Sequence, residues 1–203
     1  MSNENAVYGF VQRKIKLLDE DTSWSRAMLA KLRRGVGKPP GASPDVWAVT
    51  LSDAPDEWHS RDGSPSFAEN AVHATLTLYA LHRQGKERGM SVCGRADDGR
   101  ELGDSVGAAA ARLVQADESN LGAVKRRFDR AVTSAGFSEL SRHVVGIVQL
   151  LKAGDRPLDY PRFALELFWF QHPGREDMIR LRWGEDFYRV LGANKSRKDE
   201  IGE

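Results

Sequence analysis

The stretch FAENAVHATLTLYALH, residues 67–82, decides the fold that this sequence predicts. Alanine, leucine, valine and tyrosine recur in it, so that a helix over these residues is apolar on nearly every side. A surface helix has an apolar stripe on one side, whereas a helix that is apolar all round is buried by its neighbours. Gly85 follows where such a helix would end. We therefore expect residues 67–82 to form a central helix that other helices cover.

The rest of the chain supplies the covering helices, because its apolar residues recur with a helical period. These patterns occupy residues 7–18, 24–34, 105–114, 120–132, 137–152, 159–170 and 175–191, with a short helix expected at 46–51. No segment alternates apolar and polar residues for long enough to indicate a strand. The sequence therefore predicts an all-α fold of about eight helices in a single domain, 1–203, built as one compact bundle or as two small lobes. We expect the polar residues 194–203 to fray.

The composition is that of a folded globular protein. The chain has 203 residues with a hydrophobic fraction of 40%, which is sufficient for a core, and a formal net charge of only +1. Cys93 is the single cysteine, which excludes an internal disulfide and a zinc site built on thiolates. The sequence shows no signal pattern and no apolar run long enough to cross a membrane, so we expect a cytoplasmic protein.

Positive charge is concentrated in residues 24–41, WSRAMLAKLRRGVGKPPG, where no acidic residue interrupts it. The helix pattern in this stretch ends at Gly35 and Gly37, and a Pro-Pro pair follows that a helix does not continue through. Glycines in such a loop allow a phosphate to approach the backbone amides closely, and a concentrated positive field attracts polyanions. We define the N-terminal basic cluster as Arg26, Lys31, Arg33, Arg34 and Lys38. Because Arg26 and Arg33 are separated by two helical turns, they should lie on one side of the helix.

A second group of cations lies in the helix pattern at residues 120–132. We define the second basic cluster as Lys125, Arg126, Arg127 and Arg130, and Arg142 on the polar side of the next helix is a further candidate. Such charges are compatible with a nucleic-acid surface and equally with solvated helix faces. Trp47 and Trp58 lie in the irregular segment 43–65, where they either close the core or stack on bases beside the basic helix.

The sequence contains no pattern that indicates catalysis or metal binding. It has no Gly-x-Ser-x-Gly motif, no His-Glu-x-x-His motif and no thiol beside a histidine. A helix places His73 and His82 on opposite faces, so it cannot present both to one metal ion. We therefore predict no catalytic residue, no metal site and no cofactor. The alternative, a nuclease or other enzyme, would need carboxylates that only the fold brings together.

Several segments together resemble the CasB family, the small all-helical subunit of the type I-E CRISPR surveillance complex Cascade. The resemblance runs from about residue 24 to residue 188 and departs mainly in two variable loops, 53–66 and 86–100. The segments that carry it are RAMLAKLRRGVGKPPG (26–41), TLYALHRQG (77–85), KRRFDRAVTSAGFSELSRHV (125–144), PLDYPRFALELFWF (157–170) and WGEDFY (183–188).

The resemblance implies a non-catalytic subunit that joins the other Cascade subunits and a second copy of itself. It would contact crRNA and single- or double-stranded target DNA without sequence specificity and stabilise the R-loop in antiviral defence. Both basic clusters and Arg142 would then be strand contacts. The rival hypothesis is an architectural subunit whose basic clusters dock acidic protein surfaces and do not touch nucleic acid.

Overall fold

The computed structural model describes residues 3–93 and 103–201, apart from the side chains of residues 3–5 and 194–201. The all-α prediction is confirmed, since this part of the chain contains no strand and only one isolated parallel bridge, between Ser91 and Leu158. Nine α-helices occupy it: α1 (Asn3–Leu18), α2 (Ser23–Arg34), α3 (Trp47–Thr50), α4 (Phe67–Arg83), α5 (Val106–Ala116), α6 (Leu121–Val132), α7 (Phe137–Ala153), α8 (Tyr160–Phe170) and α9 (Glu176–Ile201).

Helix α4 is the central helix that the sequence predicts. Every residue from 71 to 80 is buried, and helices α1, α2, α7 and α8 all pack against it. A capping box starts the helix: the Glu69 N–H donates to the Ser66 hydroxyl over 3.2 Å, and the Ser66 N–H donates to the Glu69 carboxylate over 2.8 Å. The cap and the burial together fix where α4 begins and which helices surround it.

Polar side chains on α4 link it to helices that are distant in sequence. The Tyr79 hydroxyl donates to the Asp19 carboxylate after α1, and His82 Nδ1 lies 3.0 Å from the Tyr160 hydroxyl of α8. Burial lowers the pKa of His82 to about 4, and the neighbouring Lys86 adds to this effect. His82 is therefore neutral near pH 7 and packs as part of the core.

The C-terminal helices form a second layer around buried aromatic side chains. Phe128 of α6 stacks on Phe187 of α9 with ring centroids 4.5 Å apart, and the Trp183 indole N–H donates to the buried Glu166 carboxylate over 2.7 Å. Helices α5 and α9 approach so closely that a Cβ added at Gly107 would overlap the Trp183 backbone carbonyl. One continuous core includes both layers, with residues from α1 to α9.

Some local expectations differ from the structure. Helix α9 continues to Ile201, beyond residue 191 where its apolar pattern ends. Asparagine is a residue type that commonly caps a helix, but the Asn120 side chain donates to the Leu113 carbonyl of α5 and does not cap α6. Trp58 closes the core against Phe10, whereas Trp47 stays at the surface. The positions of the Asn120 and Trp58 side chains depend on contacts with other helices, which a local pattern does not contain.

The long polar connection between α4 and α5 is only partly described. Its first residues return to the core, because the Leu158 N–H donates to the Met90 carbonyl and the Val92 N–H donates to the Leu158 carbonyl. Arg88 forms an ion pair with Asp155 over 2.9 Å. The last seven residues of the predicted variable loop at 86–100, from residue 94 onward, lie outside the described residues.

The close approach of α5 and α9 predicts opposite effects for two glycine substitutions. Gly107→Ala should lower the free energy of unfolding by about 2–3 kcal/mol, because its methyl group must push the two backbones apart. Gly184→Ala is the matched control, since nothing lies within 4 Å of its added Cβ. That substitution should raise stability by about 0.5–1 kcal/mol through helix propensity. Urea unfolding followed by circular dichroism measures both, and a Gly107→Ala variant as stable as the wild type would contradict the described helix pair.

Candidate nucleic-acid interface

Helix α2 separates an apolar face from a cationic one. Thr22 caps it by accepting a hydrogen bond from the Ser25 N–H over 3.0 Å. Its buried residues Ser25, Met28, Leu29 and Leu32 lie on one side, which packs against α4 and α1. At 3.6 residues per turn, the four cations of the helix span an arc of about 160° on the other side. The packing of α2 therefore turns its cations away from the core.

Most cations of the N-terminal basic cluster are not neutralised by the protein. Arg26 pairs with Asp21 over 3.2 Å, with both side chains largely exposed. Lys31, Arg33, Arg34 and Lys38 have no ion-pair partner among the described residues. A surface cation without a partner keeps its full field available to an external anion.

Arg26 and Arg33 line the same open cleft, as their spacing predicts. The cleft has a volume of about 700 Å³ and lies between α2 and the end of α4. It also contains Arg83, which pairs with Asp19 over 3.4 Å, and Lys86, which pairs with Asp155 over 2.9 Å. The cleft is therefore mixed in charge, and among its cations Arg33 has no ion-pair partner in the described part of the chain.

The loop after α2 packs on side chains of α4. Gly35 packs on Thr77 of α4 and on Ser43, and Gly37 adopts a left-handed backbone conformation with φ of +74°. His73 lies buried beneath the loop, close to the carbonyls of Gly35 and Lys38, and burial lowers the pKa of its ring. The loop thus follows a fixed path over α4 and leaves Lys38 exposed.

Trp47 lies beside this loop and is fixed by it. Its indole N–H donates to the Pro40 carbonyl over 3.1 Å, while 42% of the residue stays exposed. Of the two tryptophans considered from the sequence, Trp58 thus belongs to the core and Trp47 to the basic surface.

The second basic cluster is divided by the fold. Arg126 and Arg130, one helical turn apart, are exposed. Lys125 forms an ion pair with Asp129 over 2.7 Å, and this hydrogen-bonded pair raises the pKa of Lys125. The Arg127 side chain packs against α7 at Gly146. The approach is close, since a Cβ added at Gly146 would lie 3.2 Å from the Arg127 Cδ. Two of the four cations thus face solvent without a partner among the described residues.

Arg142 lies near the end of α6, as part of the same helical hairpin. The neighbouring His143 has its Nδ1 2.8 Å from the Arg130 carbonyl, which places Arg142 beside the last turn of α6. Arg142 is exposed and donates only to the Ser138 carbonyl within its own helix. The structure therefore places Arg130 and Arg142 near the turn of the α6–α7 hairpin, whereas Arg126 lies one helical turn further from that turn. The N-terminal basic cluster lies on α2, which packs against α1 and α4 instead.

Comparison with known proteins identifies the family. The sequence model of the CRISPR-associated protein Cse2 family matches residues 28–188, most of the chain. The chain belongs to this family, also named CasB. The crystal structure of CasB from Thermobifida fusca is similar, with a TM-score of 0.69 and 30% identity, over 89% of this chain and 97% of that one.

Two more distant structures share the fold of this Cse2-family chain. A chain of a CRISPR RNA-guided surveillance complex has a TM-score of 0.69 and 19% identity, over 96% of this chain and 98% of that chain. CasB from M. ruber has a TM-score of 0.61 and 16% identity, over 92% and 97% of the two chains. Comparison with curated proteins gave no match. The resemblance inferred from the sequence segments is thereby confirmed at the level of family and fold.

The sequence patterns missed one cationic site of this family member. A pocket of about 270 Å³ between α8 and α9 is lined by Arg175, Arg182 and Trp169, and the Arg175 guanidinium lies 5.0 Å from the Trp169 ring centroid. Arg162, on its wall, is occupied by ion pairs with Glu166 and Asp186. Residues 175–182 contain three arginines, which could have indicated a cationic surface. Glu176 and Asp177 lie between them, so the segment does not stand out as basic in the sequence.

Metal-ligand groups and membrane-spanning helices are both absent from the described residues. These residues include no group of three or more histidine, cysteine, aspartate and glutamate side chains that could hold a metal ion. Nor does any helix in this part of the chain combine the length and hydropathy needed to span a bilayer.

The left-handed conformation at Gly37 predicts that the shape of the basic loop depends on this residue. Gly37→Ala should destabilise the protein by about 1–2 kcal/mol, because a side chain disfavours positive φ. Gly41→Ala is the control: it lies in the same loop, does not have positive φ, and likewise has no atom within 4 Å of an added Cβ. It should change stability by less than about 0.5 kcal/mol. Equal effects of the two substitutions, measured by thermal unfolding, would contradict the loop conformation.

Proposed function

We propose that this Cse2-family chain is a non-catalytic subunit of a type I-E Cascade complex, where it holds crRNA and target DNA by their backbones and stabilises the R-loop. The observation that carries this proposal is the cationic arc of α2 with its loop. Lys31, Arg33, Arg34 and Lys38 point away from the core and have no ion-pair partner in the described residues. Four uncompensated cations in one short segment suit a chain of phosphates.

The proposed role requires contacts that are independent of sequence. Forming an R-loop exchanges a DNA duplex for an RNA–DNA duplex of similar stability, so protein contacts to the backbones can shift the balance. Contacts to phosphate position a strand but do not read its bases. Arginine and lysine side chains on a helix and a glycine-containing loop provide such contacts, and they gain affinity by releasing counterions.

A docking role has specific support on another surface, formed by α6 and α9. Leu121 of α6 and Leu181 and Tyr188 of α9 are among the exposed large apolar side chains, and Lys125 lies within hydrogen-bonding reach of the Tyr188 hydroxyl. Lys125 is also neutralised by Asp129. This face suits contact with another protein better than contact with phosphates. We therefore propose that α2 and its loop bind nucleic acid and that the α6–α9 face contributes to subunit docking.

The salt dependence of binding tests the contact with phosphates. The double variant Arg33→Ala with Arg34→Ala should bind unrelated single strands more weakly than the wild type and to a similar extent for each. The plot of log affinity against log salt should become shallower by about 0.7 for each lost contact to a single strand, or about 0.9 for duplex. The helical signal should stay unchanged, because neither residue is buried.

The matched control is Arg13→Ala with Lys16→Ala, which lowers the net charge equally at two exposed positions of α1, outside both basic clusters and the Trp169 pocket. It should leave the salt dependence close to that of the wild type. If the two double variants behave alike, or if the Arg33 and Arg34 variant keeps its affinity and slope, the α2 surface is not a nucleic-acid contact. Failure of that variant to enter the complex, with normal binding to free strands, would favour the docking role.

A further inference from the structure

Trp47 is an exposed aromatic side chain whose position is fixed. The residue is 42% exposed, yet its indole N–H donates to the Pro40 carbonyl over 3.1 Å. The adjacent residues Val46 and Val49 are buried in the core, so the helix that carries the ring does not move freely. An aromatic side chain that is both open to solvent and already ordered loses little conformational freedom when a ligand covers it.

The surroundings of the ring form a shallow apolar pocket. Pro40, Gly41, Gly63 and Pro65 line a space of about 120 Å³ beside Trp47. Glycine has no side chain and proline a compact ring, so these residues leave space beside Trp47 for a flat group. Glu69 also lines the pocket, and its carboxylate accepts the capping hydrogen bond from the Ser66 N–H. A negatively charged ligand group would therefore lie away from Glu69.

Lys38, in the loop that contains Pro40, supplies positive charge near the pocket. Lys38 lies two residues before Pro40 in sequence, so their Cα atoms are at most about 7.6 Å apart. Lys38 is exposed and, like Arg34, has no ion-pair partner among the described residues. A flat apolar pocket beside unpaired cations complements a nucleotide, which carries a base and a phosphate on one unit. A proline or aromatic side chain of another protein would use the pocket but would gain nothing from Lys38.

We propose that Trp47 stacks on an unpaired base of a single strand whose phosphates contact Lys38 and Arg34. This inference rests on the proposed function, and it adds that the α2 surface selects single-stranded over duplex nucleic acid. The bases of a duplex are stacked on each other and do not offer a face to a protein side chain. Stacking on an aromatic ring tolerates every base, so the preference concerns strandedness and not sequence.

The test measures binding of the full chain to oligothymidylate, to the same strand with abasic sites, and to duplex. Trp47→Leu should weaken binding to oligothymidylate by about 5- to 150-fold, the range for losing one stacked base. It should leave the salt slope, the binding to duplex and the binding to the abasic strand unchanged. Trp47→Phe should restore most of the affinity, because it keeps an aromatic face.

Trp24→Leu is the matched control, since Trp24 is also 42% exposed but lies at the start of α2, where it does not line the Trp47 pocket. It should bind every probe like the wild type. An unchanged affinity of Trp47→Leu for oligothymidylate, with a normal salt slope, overturns the stacking inference alone. A wild-type chain that binds none of the probes overturns both the inference and the proposed phosphate contacts. Normal strand binding by Trp47→Leu with poor incorporation into Cascade would instead assign the pocket to a protein partner.

Discussion

Helix α4 is buried over ten consecutive residues, 71–80, and this burial is possible only if other helices cover it from all sides. Each helix that covers it must turn its own apolar stripe inward, which determines the outward face of that helix. Polar side chains of α4 then fix the alignment, through Tyr79 with Asp19 and His82 with Tyr160. The layer of α5, α6 and α9 completes the core around Trp183 and Phe187.

The cationic surface follows from this packing. Because Met28, Leu29 and Leu32 must face α4 and α1, the cations of α2 are left on the opposite arc. The loop that follows crosses α4 above His73 and carries Lys38 outward. The cations of α6 have different surroundings. Arg127 packs against α7 and Lys125 pairs with Asp129. Arg126 and Arg130 are exposed. Two clusters that look alike in sequence therefore present different surfaces.

The features that could be predicted from sequence are those that a single helix determines. The burial of α4, the cationic arc of α2 and the end of α2 at Gly35 follow from periodicity and from residue type. The ion pair of Lys125 with Asp129 could also have been predicted from the sequence, because the two residues are four apart on one helix. The burial of Trp58 was not, since it depends on Phe10 in α1, and neither was the exposure of Trp47, which depends on how the loop crosses α4. The pocket around Trp169 depends on the packing of α8 and α9.

The central claim is that the unpaired cations of α2 hold nucleic acid within the assembled complex. The lifetime of the R-loop on target DNA tests it most directly, in Cascade reconstituted with either wild-type chain or a chain in which Lys31, Arg33, Arg34 and Lys38 are alanine. The account predicts that the variant enters the complex normally, that its R-loop dissociates faster, and that the difference narrows as salt rises. An R-loop lifetime equal to that of the wild type at low salt, in a fully assembled complex, would contradict it.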